Sequence, residues 1–153
     1  MAPTRKATRL SGVLLALGAI SALGACSGPP EESYNAIAVG ADLDFEGLRL
    51  RSISVVTAAE NEPGRLLGTI FNSTGEEIEF VIRDPDNVVP LSVPANGQLT
   101  FDEAVHILGT TEDRPGARTD LTIEVKDQNT VLDVPVLDGT LEQFAPYVPT
   151  QGP

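Results

Sequence analysis

The sequence predicts an all-β protein, built as a two-sheet antiparallel sandwich of about seven short strands. Three observations predict this fold class. Apolar and polar residues alternate in several short stretches, turn-forming residues interrupt the chain at regular intervals, and no window has a convincing helical period. The sequence holds no Trp and five Phe, so the core must consist mainly of Val, Leu and Ile.

The first 25 residues have the layout of a secretory signal. Arg5, Lys6 and Arg9 provide a positive start, and an uncharged run rich in Leu, Ala and Gly follows over residues 10–23. That run is too short to span a membrane as a helix. We therefore expect export from the cytoplasm and removal of residues 1–25.

Cys26 is the only cysteine of the chain and directly follows this signal, in the run Leu23-Gly24-Ala25-Cys26. The run resembles a lipobox, the motif of bacterial lipoprotein precursors, in which the cysteine thiol receives diacylglycerol and the signal is cut just before it. The resemblance implies that Cys26 is the lipidated first residue of the mature chain and that residues 26–33 form a flexible tether. Two acyl chains anchor stably where one would be marginal, since each buried methylene contributes about 0.8 kcal/mol. We expect an extracytoplasmic protein held on the cell membrane. The alternative is an ordinary signal with an incidental or structural cysteine.

The mature chain would have the size of one domain. Removing 25 of 153 residues leaves 128, of which residues 34–140 are expected to form the sandwich and residues 141–153 a Pro-containing C-terminal tail. Three of the ten basic residues lie before the cut and all 22 acidic residues lie after it, so seven positive charges oppose 22 negative ones, a net charge of −15. Such a chain is repelled by nucleic acid, which we exclude as a partner.

The first strands are predicted from two apolar runs. In GLRLRSISVV, Leu48 and Leu50 share one parity whereas Ile53 and Val55 share the other, and this change of phase predicts a strand with a bulge. RLLGTIF is a second short strand, ended by the turn-prone residues 72–75.

The middle strands follow the same logic. EIEFVIR alternates, with Ile78, Phe80 and Ile82 on one face, and the DPDN sequence at 84–87 ends it. VVPLSV and QLTF then flank PANG at 94–97, where Asn-Gly supplies the positive backbone angles that a tight turn needs.

The last strands form the clearest hairpin. After a polar loop over 111–120, alternating apolar residues on both sides of KDQN predict a hairpin over 121–136. Pro135 cannot donate a ladder hydrogen bond, which predicts an edge strand or a bulge there. A short turn is expected near 141–144, and residues 145–153, with three prolines, are expected to be loose.

Two stretches of the second half resemble the periplasmic copper chaperone family and its lipoprotein relatives in actinobacteria. VPANGQLTFDEAVHIL, at 93–108, is similar to a segment in which a proline, a small-residue turn and a strand lead to a His-x-Met ligand pair. LTIEVKDQNTVLDVPV, at 121–136, is similar to the closing hairpin of that family. The resemblance implies an Ig-like or cupredoxin-like sandwich that binds Cu(I) through His and Met.

The ligand set of that family is largely missing. The residue two positions after His106 is Leu108, the only methionine is Met1, and His106 is the only histidine. Cu(I) prefers soft ligands, and a single imidazole does not build a selective site within one chain. We expect no resident cofactor and keep His106 as the one candidate metal ligand, with a site completed by a partner protein left open.

Other polar groups have a structural interpretation beside each functional one. Two sets of oxygen ligands are weighed for Ca²⁺, which takes six to eight ligands, and turns are favoured for both: Asp84, Asp86 and Asn87, and Asp127, Asn129 and Asp133. The triplet at 72–74 matches a glycosylation acceptor, but a turn after a strand explains it better. Arg114 and Arg118 are candidate anion contacts, with a solvated loop as the default.

No catalytic motif is present, because no G-x-S-x-G turn, H-E-x-x-H or phosphate-binding glycine loop occurs. We therefore predict a non-enzyme: a lipid-anchored binding or accessory module that engages an envelope protein or a cell-wall component. Two alternatives stay open. One is copper handling through a degenerate or partner-completed site, and the other is a small envelope hydrolase that uses a carboxylate pair.

Overall fold

The computed structural model describes residues 40–150, so the predicted signal peptide 1–25, Cys26 and the tether lie outside the described residues. The described chain is all-β, apart from a 3-10 turn at Ala145–Tyr147. Its nine strands are β1 Ala41–Phe45, β2 Leu48–Thr57, β3 Glu62–Asn72, β4 Ile78–Arg83, β5 Val88–Val93, β6 Gln98–Thr100, β7 Ile107–Thr111, β8 Arg118–Val125 and β9 Gln128–Leu137. None of the helical segments within residues 40–150 has the length and apolarity to cross a membrane.

The strands form two sheets that face each other across a shared core. In sheet A, β2 pairs with β1 and β3, and β3 pairs further with β6 and β7. In sheet B the order is β5-β4-β8-β9. A short parallel pairing, Val55 with Val136 and Val56 with Leu137, joins β2 to β9. The predicted β-sandwich is confirmed. It has nine strands where about seven were expected, and one of its pairings is parallel.

The core between the sheets is aliphatic, as the composition predicted. The residues that alternate in the sequence face inward: Ile78, Phe80 and Ile82 in β4 are buried, and so are the apolar residues of β8 and β9. Phe101, which follows β6, is the largest fully buried side chain of the described residues. Burial of these side chains contributes roughly 25 cal/mol for each Å² of apolar surface removed from water, which is the main force holding a fold without disulfides.

The predicted bulge in β2 is present. The pairing with β3 shifts register between Arg51 and Ser54, and Ser52 adopts a left-handed φ of 55°. Because one extra residue is accommodated there, the inward parity changes from Leu50 to Ile53, as the sequence pattern required.

The PANG turn is confirmed, but it does not close a hairpin. Asn96 has φ 52°, and the N–H of Gly97 donates to the carbonyl of Pro94 at 2.9 Å. The flanking strands belong to different sheets, because β5 pairs with β4 and β6 pairs with β3. The turn therefore carries the chain from sheet B to sheet A.

Pro135 is not in an edge strand, so the edge-strand alternative of that prediction is wrong. Strand β9 lies between β8 and β2, with Pro135 opposite Arg118. The N–H and C=O of Val136 bond the loop before β8, through Ala117 and Gly116. The backbone N–H groups of neighbouring strand residues point to opposite edges of the strand. Because the N–H of Val136 points toward β8, the missing N–H of Pro135 lies on the edge that faces β2, where pairing begins only at Val136.

Part of the C-terminal segment expected to be loose is packed, because Tyr147 and Val148 lie against the cluster of Val56, Leu67 and Phe144, so that expectation is wrong for these residues. The predicted turn near 141–144 is present, with Phe144 N–H donating to Leu141 O at 2.8 Å. Phe144 is buried on the outer face of sheet A against Val56 and Leu67. The segment packs there because its aromatic rings cover apolar side chains of sheet A that would otherwise be exposed to water.

Candidate functional site

His106 lies in the loop between β6 and β7 and is half-buried. Its ring meets Phe101 edge to face, with centroids 5.5 Å apart and planes at 85°. Its backbone carbonyl accepts a hydrogen bond from Leu66 N–H of β3 at 3.0 Å. Burial lowers the pKa of the imidazole, which favours the neutral form that a metal ligand needs. His106 is therefore held in place by the fold.

The residues around His106 do not complete a metal site. Leu108, at the position where the resemblance implies methionine, is 1% exposed and belongs to the core. Within residues 40–150, no cluster of three or more His, Cys, Asp or Glu side chains could hold a metal ion. The residues that flank the histidine, Val105 and Ile107, are instead exposed by 55% and 45%. The loop presents one imidazole between two aliphatic side chains.

An acidic groove of about 900 Å³ lies near the other end of β3. Its lining includes four glutamates and one lysine: Glu46, Glu76, Glu77, Glu79 and Lys126. These side chains come from the β1–β2 turn, the β3–β4 turn, β4 and the β8–β9 turn. The groove concentrates part of the negative charge that the sequence predicts, and it attracts cationic groups rather than anions.

The DPDN sequence forms a turn, as favoured over calcium. Asp84 Oδ1 accepts hydrogen bonds from the N–H groups of Asp86 at 3.0 Å and Asn87 at 2.7 Å, and the Asn87 amide donates to both carboxylate oxygens. The Asn87 side chain also reaches β7, where its Oδ1 accepts from Gly109 N–H at 2.7 Å and its Nδ2 donates to Thr110 O at 3.1 Å. The Asp84 carboxylate thus closes the turn, and the Asn87 amide fastens the turn to β7 of the other sheet.

Asn72 is not available for glycosylation. Its side chain is buried, with the residue only 3% exposed. The amide Nδ2 donates to the carbonyls of Glu76 (2.7 Å), Val93 (3.0 Å) and Pro94 (3.1 Å), while Oδ1 accepts from Thr74 N–H and Oγ1. Every polar atom of the side chain is engaged, so the turn interpretation is confirmed.

The remaining predicted residues are dispersed. Arg118 pairs with Asp133 across the β8–β9 ladder, at an exposed position. Asp127 lies in the β8–β9 turn and Asn129 in β9, where it pairs with Glu124. The carbonyl of Arg114 closes a separate turn by accepting from Ala117 N–H at 3.0 Å. The structure therefore does not bring the two arginines into one site, and it divides the second oxygen-ligand set among a turn, a strand and an ion pair.

Sequence reasoning missed one bidentate ion pair on the outer face of sheet B. Arg83 donates through Nε and Nη2 to the two carboxylate oxygens of Glu124, both at 3.1 Å. The hydrogen bond with Glu124 raises the pKa of Arg83, and the same bond lowers the pKa of Glu124. Both residues lie at the polar phase of their strands, but only the register of β4 against β8 brings them together.

Comparison with known proteins supports the fold. No family model and no curated protein matches the sequence. Among solved structures, the copper-bound PCuAC domain from PmoF2 matches with a TM-score of 0.50 over 63% of this chain and 97% of that domain. The two folds are similar. Only 10% of the aligned residues are identical, so the likeness supports the predicted resemblance to the periplasmic copper chaperone family at the level of fold.

Proposed function

We propose that this protein is a lipid-anchored, extracytoplasmic and non-catalytic binding module of the cell envelope, with a PCuAC-like fold that does not itself hold copper. The observation that carries the proposal is the residue two positions after His106. Leu108 has no lone pair to donate and is packed in the core. A soft ion would find a single neutral imidazole there and no thioether.

The sulfur content of the chain supports the same conclusion. Its one methionine is Met1 and its one cysteine is Cys26. Processing would remove Met1, and lipidation would convert the thiol of Cys26 into a thioether that carries acyl chains in the membrane. His106 would then be the only side chain of the mature protein with a preference for Cu(I).

The His106 loop has the character of a contact surface. Val105 and Ile107 expose aliphatic side chains on either side of the histidine. Burying exposed apolar side chains against a partner is favourable in proportion to the area removed from water. The partner we propose is another envelope protein, which would cover this loop.

Copper titration of the mature protein tests the metal part of the proposal. We expect weak binding of Cu(I) and Cu(II), without a one-to-one complex, and little change on His106→Ala. A stoichiometric copper complex that survives a competing chelator and disappears in His106→Ala would overturn the proposal.

Site-specific crosslinking in cells tests the partner part. A photo-crosslinking side chain at position 105 should capture one envelope protein reproducibly, and the same group at Val131, an exposed position on sheet B, should not. Identical capture patterns from the two positions would mean that the His106 loop is not the contact surface.

Lipidation is tested separately from binding. Labelled fatty acid should enter the protein in cells, and Cys26→Ser should abolish labelling and release the protein from the membrane fraction. A membrane-bound, unlabelled protein would contradict the proposed anchor while leaving the binding tests unaffected.

A second candidate function is copper handling at a site completed by a partner. The observation that favours it is the copper-bound state of the structurally similar PCuAC domain. His106 would supply one ligand and the partner the others. Copper that binds tightly only to the crosslinked or co-purified complex, and not to either protein alone, would favour this function over the first.

A further inference from the structure

The edge strands of the sandwich differ in how far they could accept a further strand. Within residues 40–150, four strands pair with one neighbour only: β1, β5, β6 and β7. Such an edge presents backbone N–H and C=O groups that can pair with another chain, and proteins protect it with charges, prolines or short length. Strand β1 carries the exposed carboxylates of Asp42 and Asp44, and β6 has only three residues.

Strand β5 is protected by a proline. The N–H of Asp84 donates to the carbonyl of Asn87 at 3.2 Å, and this phase of the β4–β5 ladder leaves the backbone groups of Val88, Pro90 and Ser92 on the outer edge. Pro90 has no N–H, so the middle donor of that edge is missing. An added strand would lose its central hydrogen bond there.

Strand β7 is open at Ile107. The N–H of Leu66 donates to the carbonyl of His106 at 3.0 Å, which makes Arg65 and Ile107 a pair that exchanges no hydrogen bonds. The N–H and C=O of Ile107 therefore point away from β3. Because β7 pairs with β3 alone among the described strands, these two groups have no ladder partner.

The open part of this edge has a defined end. Asn87 Oδ1 accepts from Gly109 N–H at 2.7 Å, and its Nδ2 donates to Thr110 O at 3.1 Å. The amide of Asn87 thus occupies the next positions along β7 and leaves the Ile107 end of the edge exposed. The aliphatic side chains at that end, Val105 and Ile107, are exposed by 55% and 45%.

The charges around the open edge are acidic. Residues 101–113 contain no lysine or arginine and four acidic side chains, two on each side of the edge: Asp102, Glu103, Glu112 and Asp113. The turn that supplies Asn87 adds Asp84 and Asp86. A basic segment is attracted to such an edge, whereas a second copy of this chain would bring like charges together.

We propose that β7 accepts an extended, basic segment of the envelope partner as an added strand, hydrogen-bonded to the N–H and C=O of Ile107. Aliphatic side chains of the segment cover Val105 and Ile107, and its lysines or arginines face the acidic residues on both sides. The inference rests on the proposed function, because it specifies how the partner covers the His106 loop.

Hydrogen exchange at the Ile107 amide of the mature, full-length chain tests the pairing directly. The probe is a short peptide of alternating valine and lysine at millimolar concentration. One control is the same peptide with alternate backbone nitrogens methylated, which cannot complete a ladder, and the other alternates valine with glutamate. We expect exchange at Ile107 to slow about tenfold with the valine–lysine peptide and to stay unchanged with both controls. The outward amide of Val88, beside Pro90, should not respond.

Three results of this measurement would overturn the proposal. The first is unchanged exchange at Ile107 with the valine–lysine peptide. The second is equal slowing at Val88 or with either control peptide, because it would show that pairing at this edge and its charge are not what binds. The third is slowing without peptide that grows with protein concentration, which would make a second copy of the chain the occupant.

A proline variant tests the same edge in cells. Ile107→Pro removes the outward N–H without removing a hydrogen bond of the β3–β7 ladder, and Val88→Pro is the matched change on β5. Photo-crosslinking from position 105 should capture the partner about fivefold less in I107P and equally well in V88P, with hydrogen exchange of the core strands as the check on folding.

The two proposals fail in different ways. Undiminished capture in a folded I107P variant overturns strand addition and leaves the proposed contact surface intact. Absence of capture from position 105 in the parent overturns the proposed function. The peptide measurement needs neither the partner nor a variant, so it decides the inference even where I107P does not fold.

Discussion

Asn72 and Asn87 lie near opposite ends of strand β5, and the side-chain amide of each bonds the backbone of the other sheet, but the two residues differ in burial. Asn72 is the last residue of β3 in sheet A, and its amide donates to the carbonyl of Val93, the last residue of β5 in sheet B. Asn87 precedes β5 and bonds Gly109 and Thr110 in β7 of sheet A. Each amide therefore fastens one sheet to the other. Asn72 is buried and Asn87 is half-buried.

The hydrogen bonds of the two side chains explain why neither residue is a ligand site. Both lie in sequence patterns that matched functional motifs, a glycosylation triplet and a set of calcium ligands. In both cases the side-chain polar atoms are engaged within the fold, by neighbouring groups and by the backbone of the opposite sheet. The contribution of each side chain to the free energy of unfolding should increase with its burial, because a buried backbone group that loses its partner cannot bond water instead.

The largest effect is expected for Asn72→Ala. Three carbonyls and one N–H lose a side-chain partner, two of the carbonyls being those of Val93 and Pro94 where the chain crosses between sheets. We expect a loss of about 3 kcal/mol in the free energy of unfolding, measured by chemical denaturation. The matched control is Asn129→Ala, the same change at an exposed position near the start of β9, for which we expect less than about 0.5 kcal/mol. Similar losses for the two variants would contradict the role of burial.

A smaller effect is expected for Asn87→Ala. The variant removes the bonds to β7 and to the Asp84 carboxylate, but solvent can replace part of them. We expect a loss of about 1.5 kcal/mol by the same measurement. Hydrogen exchange should rise at the Gly109 amide, and a loss equal to that of Asn72→Ala would refute the comparison.

The two fastenings should act independently. Six residues of β5 separate them, which places them roughly 17 Å apart. The double variant Asn72→Ala/Asn87→Ala should therefore lose the sum of the single losses, with a coupling energy under about 0.5 kcal/mol. A larger coupling would mean that β5 detaches from sheet A as a unit once either end is freed.

The smallest effect is expected from the exposed pair of Arg83 and Glu124. The hydrogen bond from Arg83 lowers the pKa of Glu124 below its ordinary value of 4.5, so the unfolded chain binds a proton more readily than the folded one. The contribution of the pair is present above pH 4.5 and is lost as the pH falls through the lower folded-state pKa. Denaturation midpoints at pH 7 and pH 3 should fall slightly less far apart in Glu124→Gln than in the parent, and an unchanged difference would show that the pair contributes nothing measurable.

The sequence patterns predicted local elements best where burial repeats with a simple period. The bulge in β2 was visible because Leu50 and Ile53 occupy opposite parities, and the hairpin of β8 and β9 because apolar residues alternate on both sides of a turn. Patterns failed where pairing joins distant segments. Nothing local distinguishes Pro135 in an edge strand from Pro135 beside β2, since the difference is the position at which another strand begins to pair.

The candidate site divides in the same way. The sequence alone established that His106 is the only histidine of the chain and that Leu108 stands where the resemblance implies a methionine. It did not establish that Leu108 is buried, that Phe101 holds the imidazole edge to face, or that the aliphatic neighbours of His106 are exposed. These properties depend on how the β6–β7 loop packs against β3.

The amino-acid sequence by itself determined the class of the fold, the absence of an internal disulfide, the acidic charge and the lack of a copper ligand set, because composition and periodicity are properties of the chain before it folds. The tertiary structure decided which polar side chains are occupied and which surfaces are open. Asn72 and the DPDN turn acquired their roles only when two sheets were brought face to face. The partners of a hydrogen bond are set by strand register and crossover, which act over distances that no local pattern records.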